Sequence, residues 1–241
     1  MFGIELLPLD DENNKRIRYS KLLINNNIKR LEDNTINKEY NYKKIFPSKY
    51  KRGEQEKINT LKAYKYILEN KSINKETIKE LYDLISNDLL DDNLELKDNY
   101  YRDQNVCIIN GKYDYEYAMP PEYVEDKMNK LIEYININNC KNEIEEFIKS
   151  QIIHFYLVYI HPYYDCNGRT ARTLSMWYLL NKNLDKYLIS NRVIVKNKEE
   201  YLNAIRKGRH SKNITKYLNF ILEGTLNELN INEKPKIKLK K

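Results

Sequence analysis

An all-α helical bundle carrying one small β-hairpin flap and an N-terminal helical extension is the fold class this chain predicts, on three observations. The 241 residues include only six glycines and six prolines against an abundance of Leu, Ile, Lys and Glu, a balance that favours helices over a sheet protein. Apolar residues recur at helical spacing over most of the length. A single stretch, "NVCIINGKYDYEYAM", breaks that rhythm by setting β-formers on both sides of Asn110-Gly111, a strong short-range hairpin signal.

The elements follow in order. Asp10 and Asp11 are expected to lie at the N-cap of a helix running to about Glu32, with Ile17, Ile24, Ile28 and Leu31 on one stripe. "NYKKIFPSKYKRGEQEK" then reads as a linker punctuated by Pro47 and Gly53. Helical spacing resumes in "KINTLKAYKYILEN" and in "NKETIKELYDLISNDLL", where Asn74 is the expected cap. After the hairpin, Pro120-Pro121 ends the extended chain and can start the helix "EYVEDKMNKLIEYI". Glu143 to Ile160 reads as one long helix, Arg169 to Leu180 as the next, and segments near 198–207 and 213–228 as the last two. The expected organisation is an extension over 1–53, a main helical domain over 54–228 and a basic tail over 229–241.

Composition excludes more than it assigns. The formal net charge is +7, but acids are interleaved with bases and no basic-aromatic groove motif is present, so specific nucleic-acid binding is not expected. Cys107, Cys140 and Cys166 are odd in number and lack metal-ligand spacing, which indicates free thiols in a reducing compartment. The start has no basic n-region, and no apolar run approaches the roughly 18 residues of a membrane helix. A cytoplasmic location away from membranes is the expectation. The oligomeric state is left open, a homo-oligomer included.

The chemistry concentrates in "HPYYDCNGRTAR". His161 stands where Pro162 breaks a long apolar helix, so its ring is expected to project into open space as a general base. Asp165 offers a hard oxygen ligand suited to Mg²⁺. Cys166, Asn167 and Gly168 lead into a helix N-terminus, whose unpaired N–H groups make an anion site fit for phosphates. Arg169 and Arg172 are three apart and share one face of that first turn. A base, a metal ligand, an anion nest and two guanidiniums suit phosphoryl or nucleotidyl transfer. A Cys166–His161 nucleophile pair lacks a third orienting residue. Of the other histidines, His154 is expected to be a hydrogen-bonded structural group and His210 to be solvated in a polar turn.

The same run resembles the signature of the Fic family, HPFx(D/E)GNGRxxR, matching at His161, Pro162, Asp165, Asn167, Gly168, Arg169 and Arg172, with Tyr163 for Phe and Cys166 for the first Gly. "HFYLVYIHP" is similar to the helix before that motif. "NYYRDQNVCIINGKYDYEYAMPPEYV" is similar to the family's arginine and flap hairpin, and "EEYLNAIRKG" to its adenine-side helix. The likeness covers about residues 54–228 and part of the extension.

The resemblance implies a Fic-type helical bundle that transfers AMP from ATP, as co-substrate with Mg²⁺, to a Ser, Thr or Tyr hydroxyl of a protein, self-modification included. It would make His161 the base and Asp165 the Mg²⁺ ligand. Cys166, Asn167, Gly168, Arg169 and Arg172 would hold phosphates, Tyr201 would lie near adenine, and Val106, Cys107, Ile108 and Ile109 would pair with the target backbone. De-AMPylation, transfer of another phosphate-containing group, or silent nucleotide binding are the alternatives.

Cys166 is expected to sit in an ordinary backbone region, where it is harmless; a left-handed position would carry about 1–3 kcal/mol of strain. "IKRLEDNTIN" resembles the inhibitory helix N-terminal to the catalytic domain in one class of the family, written (S/T)xxxE(G/N). Glu32 stands at its glutamate and Arg172 is the expected partner; Ile28 and Asp33 depart from the pattern. "NFILEG", with Glu223, is a weaker match to the C-terminal form of that motif.

Overall fold

A computed structural model describes residues 4–34, 53–91, 94–96, 99–109 and 115–233. The linker expected around Pro47, the tip of the hairpin at Asn110-Gly111 and the tail beyond Glu233 lie outside them.

The organising element is α5 (Glu143–Ile160), fifteen of whose eighteen residues are buried. A helix apolar around nearly its whole circumference must be central, and the others form a shell about it. Asn142 caps its start, its side chain accepting from Glu145 N. Antiparallel to it, α6 (Asn167–Asn181) buries Ala171, Leu174, Trp177 and Leu179. Further around lie α2 (Glu54–Glu69), α3 (Lys75–Ser86), α4 (Pro121–Asn136), α7 (Ser190–Lys196), α8 (Lys198–Ser211) and α9 (Thr215–Glu233), with a 3-10 turn over Asp185–Ile189 before α7. The expected cap of α3 forms as a reciprocal box between Asn74 and Thr77. Pro121 opens α4 at its first turn. Gly208 lets α8 approach α5 closely: a Cβ there would stand 2.7 Å from the Phe155 ring.

The N-terminal extension differs from expectation. Residues 10–20 are not helical. β1 (Ile4–Asp10) and β2 (Arg16–Ser20) form an antiparallel hairpin, and α1 (Lys21–Asn34) starts only at Lys21. Period-two burial marks the strands: Leu7, Leu9 and Ile17 point inward while Leu6, Arg16 and Arg18 face out. Asp11 closes the turn by accepting from the N–H groups of Asn13 and Lys15, and Asn14 takes φ 58. The hairpin is anchored to the bundle through buried Lys127, which donates to Asp10 at 3.0 Å, and through Tyr156, whose hydroxyl donates to the Asp10 carbonyl. Ile24 and Ile28 of α1 are buried, and α1 packs along α9.

The second hairpin, the flap, joins β3 (Cys107–Ile109) to β4 (Tyr115–Tyr117), with Cys107 opposite Tyr117 and Ile109 opposite Tyr115. Among the described residues no helix is long and apolar enough to cross a membrane.

Candidate active site

The site gathers where α5 ends and α6 begins. His161 is the C-cap of α5 in a left-handed conformation, φ 55 and ψ 59. Two buried arginines hold this corner. Arg102, just before the flap, donates from Nε to the His161 carbonyl at 2.8 Å, from Nη1 to Gln104 O at 2.7 Å and from Nη2 to Met119 O, while its own N–H donates to Pro162 O. Arg209 of α8 donates to the Val158 and Tyr159 carbonyls, the open last turn of α5. It also pairs at 2.8 Å with Glu116 of β4, tying the flap to α8.

The His161 ring does not project into open space. The residue is half-buried and Nδ1 is fully covered, without a hydrogen-bond partner among the described residues. Burial, then the charges of Arg209 and Arg102, push its pKa from 6.5 down to about 3, the Val158 carbonyl pulling the other way. The ring is therefore neutral at cellular pH.

The loop after it is set by Asn167, whose Oδ1 accepts from Tyr163 N at 3.0 Å and whose Nδ2 donates to Tyr163 O at 2.7 Å. Asn167 is buried, so its side chain shapes the loop from within. Tyr163 is buried as well and stacks on Tyr82 at 3.7 Å between ring centres.

Cys166 departs from expectation. It has φ 64 and ψ 2, in the left-handed region, and its side chain is buried. A side chain here carries the strain that glycine avoids.

The start of α6 lacks a side-chain cap, unlike α3 and α5. Its first intrahelical bond runs from Thr170 N to Cys166 O, and the Cys166 N–H is taken by Asp165 Oδ1 at 2.6 Å. The N–H groups of Asn167, Gly168 and Arg169 precede that first bond, where helical donors have no partner within their own helix. Arg172 stands over them, its Nη1 3.6 Å from where a Gly168 Cβ would lie. Arg169 is held at the rim between Glu56 of α2, at 3.4 Å, and Asp165, at 3.9 Å.

The Asp165 side chain is largely exposed. No group of three or more potential metal ligands exists among the described residues. Asp165 fits Mg²⁺ in the way that ion is commonly held, by one carboxylate plus substrate phosphates.

Tyr201 of α8 is buried, and its hydroxyl meets His154 Nε2 at 2.8 Å, giving His154 the hydrogen-bonded role expected. Burial and Arg172 lower the His154 pKa to about 3. His210 is exposed but lies at the end of α8, not in a turn, and pairs with Glu116 at 3.2 Å.

In the flap, Val106 O accepts from Ala118 N, Cys107 is exposed and Ile108 half-buried; the Ile109 side chain lies outside the described residues. So does that of Glu32, whose backbone is in the last turn of α1. Glu223 is exposed on α9, and Gly224 beside it is where Val193 packs against that helix. Glu56, Glu116 and Arg209 lie outside the residues that the sequence pointed to; the one local signal was the helical spacing of Glu56 with Asn59, Ala63 and Ile67, all four of which are buried in the fold.

The site thus sets a helix start without a side-chain cap beside a neutral histidine, in a helical bundle with a flap. Residues 72–179 match the Fic/DOC family. Among solved structures, a Fic family protein from Desulfovibrio desulfuricans superposes with a TM-score of 0.62 at 23% identity, over 88% of this chain and 64% of that one. Fic-1 from Caenorhabditis elegans gives 0.58 at 15% identity, over 88% and 71%. These likenesses are of fold.

In sequence, a probable protein adenylyltransferase of Aquifex aeolicus is 31% identical over 112 residues, 44% of this chain and 30% of that protein. The protein adenylyltransferase fic-1 of Caenorhabditis elegans is 37% identical over 54 residues, 22% of this chain and 10% of that protein. The chain thus aligns with less than a third of the length of either curated relative.

Proposed function

We propose that this chain is a protein adenylyltransferase that moves AMP from ATP to a Ser, Thr or Tyr hydroxyl of a protein target, itself included, and that Glu32 restrains it. The observation that carries the reading is the uncapped start of α6, with Arg172 over Gly168 and a neutral His161 one loop away. The names of the two sequence relatives support the same reaction.

The triphosphate lies on the N–H groups of Asn167, Gly168 and Arg169, where the positive end of the helix dipole favours it. Arg172, and Arg169 once it shares its charge with Glu56, take the β- and γ-phosphates. Asp165 would hold Mg²⁺, which when bound supplies charge neutralisation on the phosphates. The target chain adds a strand beside Val106–Ile109, which brings its hydroxyl to His161.

With Nδ1 covered, Nε2 takes the hydroxyl proton. The hydroxyl oxygen forms its bond to the α-phosphorus, the bond to the β-phosphate oxygen breaks, and pyrophosphate leaves. The arriving phosphates offset Arg102 and Arg209 and raise the basicity of His161 as the proton is needed.

His161→Ala should lower transfer of labelled AMP by roughly 10²–10⁴-fold with ATP affinity nearly unchanged. Joint loss of binding and transfer would make His161 structural. ATP binding with no transfer from either wild type or Glu32→Gly would make the domain a silent nucleotide-binding module.

A further inference from the structure

The flap is too small to hold its own place. β3 and β4 share three residue pairs, and a lone two-stranded hairpin is marginally stable in water. Its position relative to His161 therefore comes from contacts with the bundle. Arg102 holds the base of the hairpin through the Gln104 and Met119 carbonyls. Along β4, period two turns Tyr115 and Tyr117 outward, 65% and 70% exposed, and turns Glu116 inward. There Glu116 Oε1 pairs with Arg209 Nε at 2.8 Å, both side chains largely buried, and Oε2 pairs with the more exposed His210 at 3.2 Å.

Arg209 has a second attachment. Its Nη1 donates to the Val158 and Tyr159 carbonyls at 3.1 and 3.2 Å, in the last turn of the helix that His161 closes. One guanidinium thus spans from the middle of β4 to the backbone just ahead of His161. Arg209 is buried, and the rigid planar fork of a guanidinium gives such a bridge a set length. Stability alone does not account for Glu116. The two carbonyl bonds hold α8 to α5 without it, and a buried ion pair gains little over an apolar contact once desolvation is counted. What the pair adds is geometry: it fixes how far the flap stands from the histidine.

We propose that Glu116 and Arg209 are positioning residues for the protein substrate, a role that rests on the reading of the chain as an adenylyltransferase whose flap receives its target. A target strand added beside β3 inherits the position of the flap. The length of the Glu116–Arg209 bridge then decides whether the target hydroxyl comes within reach of His161 Nε2. Neither residue acts on the reacting atoms directly. ATP, held at the start of α6, is bound and aligned independently of the pair, so only the protein substrate depends on it.

The test compares Glu116→Gln and Glu116→Asp in the full chain, since both leave the two carbonyl bonds of Arg209 in place. Hydrogen exchange at the amides of β3 and β4, read by mass spectrometry, reports the flap without any reaction. Glu116→Gln should speed that exchange by roughly tenfold, with exchange in α5 and the urea midpoint close to wild type. Self-AMPylation, with Glu32→Gly as the parent so that transfer is measurable, should fall by roughly ten- to a hundredfold in kcat, at unchanged ATP KM and ATP affinity. Glu116→Asp, which keeps the charge on a shorter arm, should recover part of both losses. Flap exchange equal to wild type in Glu116→Gln would overturn the bridge. Faster flap exchange with undiminished transfer would overturn its positioning role, and so would ATP affinity lost in step with transfer, the mark of a general structural defect. If the parent transfers nothing, the adenylyltransferase reading fails and the positioning role with it, and the exchange comparison separates that failure from a failed bridge.

Discussion

Arg102 joins the flap to the corner at His161, and removing it has a calculable consequence. Its guanidinium satisfies three carbonyls, on His161, Gln104 and Met119, from a buried position. A hydrogen bond to a charged group contributes about 1.5–3 kcal/mol, so the gross loss in Arg102→Ala reaches roughly 4.5–9 kcal/mol. Gln104 is exposed and its carbonyl recovers a water, and the cavity around the other two admits some solvent. A net destabilisation of about 3–5 kcal/mol follows. Arg102→Lys keeps the charge but cannot span three acceptors with one ammonium, so it should fall between wild type and alanine. Urea unfolding of the three proteins measures this. Removing one of the charges that depress His161 should also raise its pKa, which imidazole NMR reads directly. A loss under about 1 kcal/mol for Arg102→Ala, with an unmoved histidine, would refute the tether.

Cys166→Gly relieves about 1–2 kcal/mol of left-handed strain but loses a buried thiol and loosens the unfolded chain, so stability should stay within about 1 kcal/mol and transfer within about tenfold. Cys166→Val, which adds β-branching at the same φ, should be clearly destabilising; the opposite order in thermal melts would contradict the strain. His154 and His161 are both held near pKa 3 in the fold against about 6.5 when unfolded. The unfolded chain then binds more protons, so this part of the stability is full above pH 6.5 and falls as pH drops toward 3. At pH 5 the two together should cost about 4 kcal/mol relative to pH 7, a loss that unfolding in urea at both pH values measures and that His154→Phe should roughly halve.

Legibility followed the range of the forces. The cap at Asn74, the start at Pro121 and the whole of α5 rest on residues a few positions apart, and each forms where local chemistry puts it. β1 and β2 were misread because Ile17, Ile24 and Ile28 happen to match helical spacing, whereas Leu7, Leu9 and Ile17 alternate over strands too short to stand out. Pro8 and the polar turn at 10–15 held the better signal: an Asp-rich break between two short alternating runs. At the site, the residue types of the motif were legible but their surroundings were not. Glu56 on Arg169, Arg209 on the end of α5 and Glu116 on α8 are contacts between distant segments. The left-handed backbone at His161 and Cys166 lies between these long-range contacts and has no local sequence signal.

The central claim is transfer of AMP with His161 as base and Glu32 as restraint, and intact-mass spectrometry of the chain after incubation with ATP and Mg²⁺ tests it most directly. A bias of about 3 kcal/mol would hold roughly 99% of molecules in a restrained arrangement, so on this proposal Glu32→Gly should raise the fraction carrying one added AMP by roughly ten- to a hundredfold over wild type. Glu223→Gly should match wild type, and Glu32→Gly combined with His161→Ala should carry none. An unmodified mass in Glu32→Gly, or AMP retained after His161 is removed, would contradict the account.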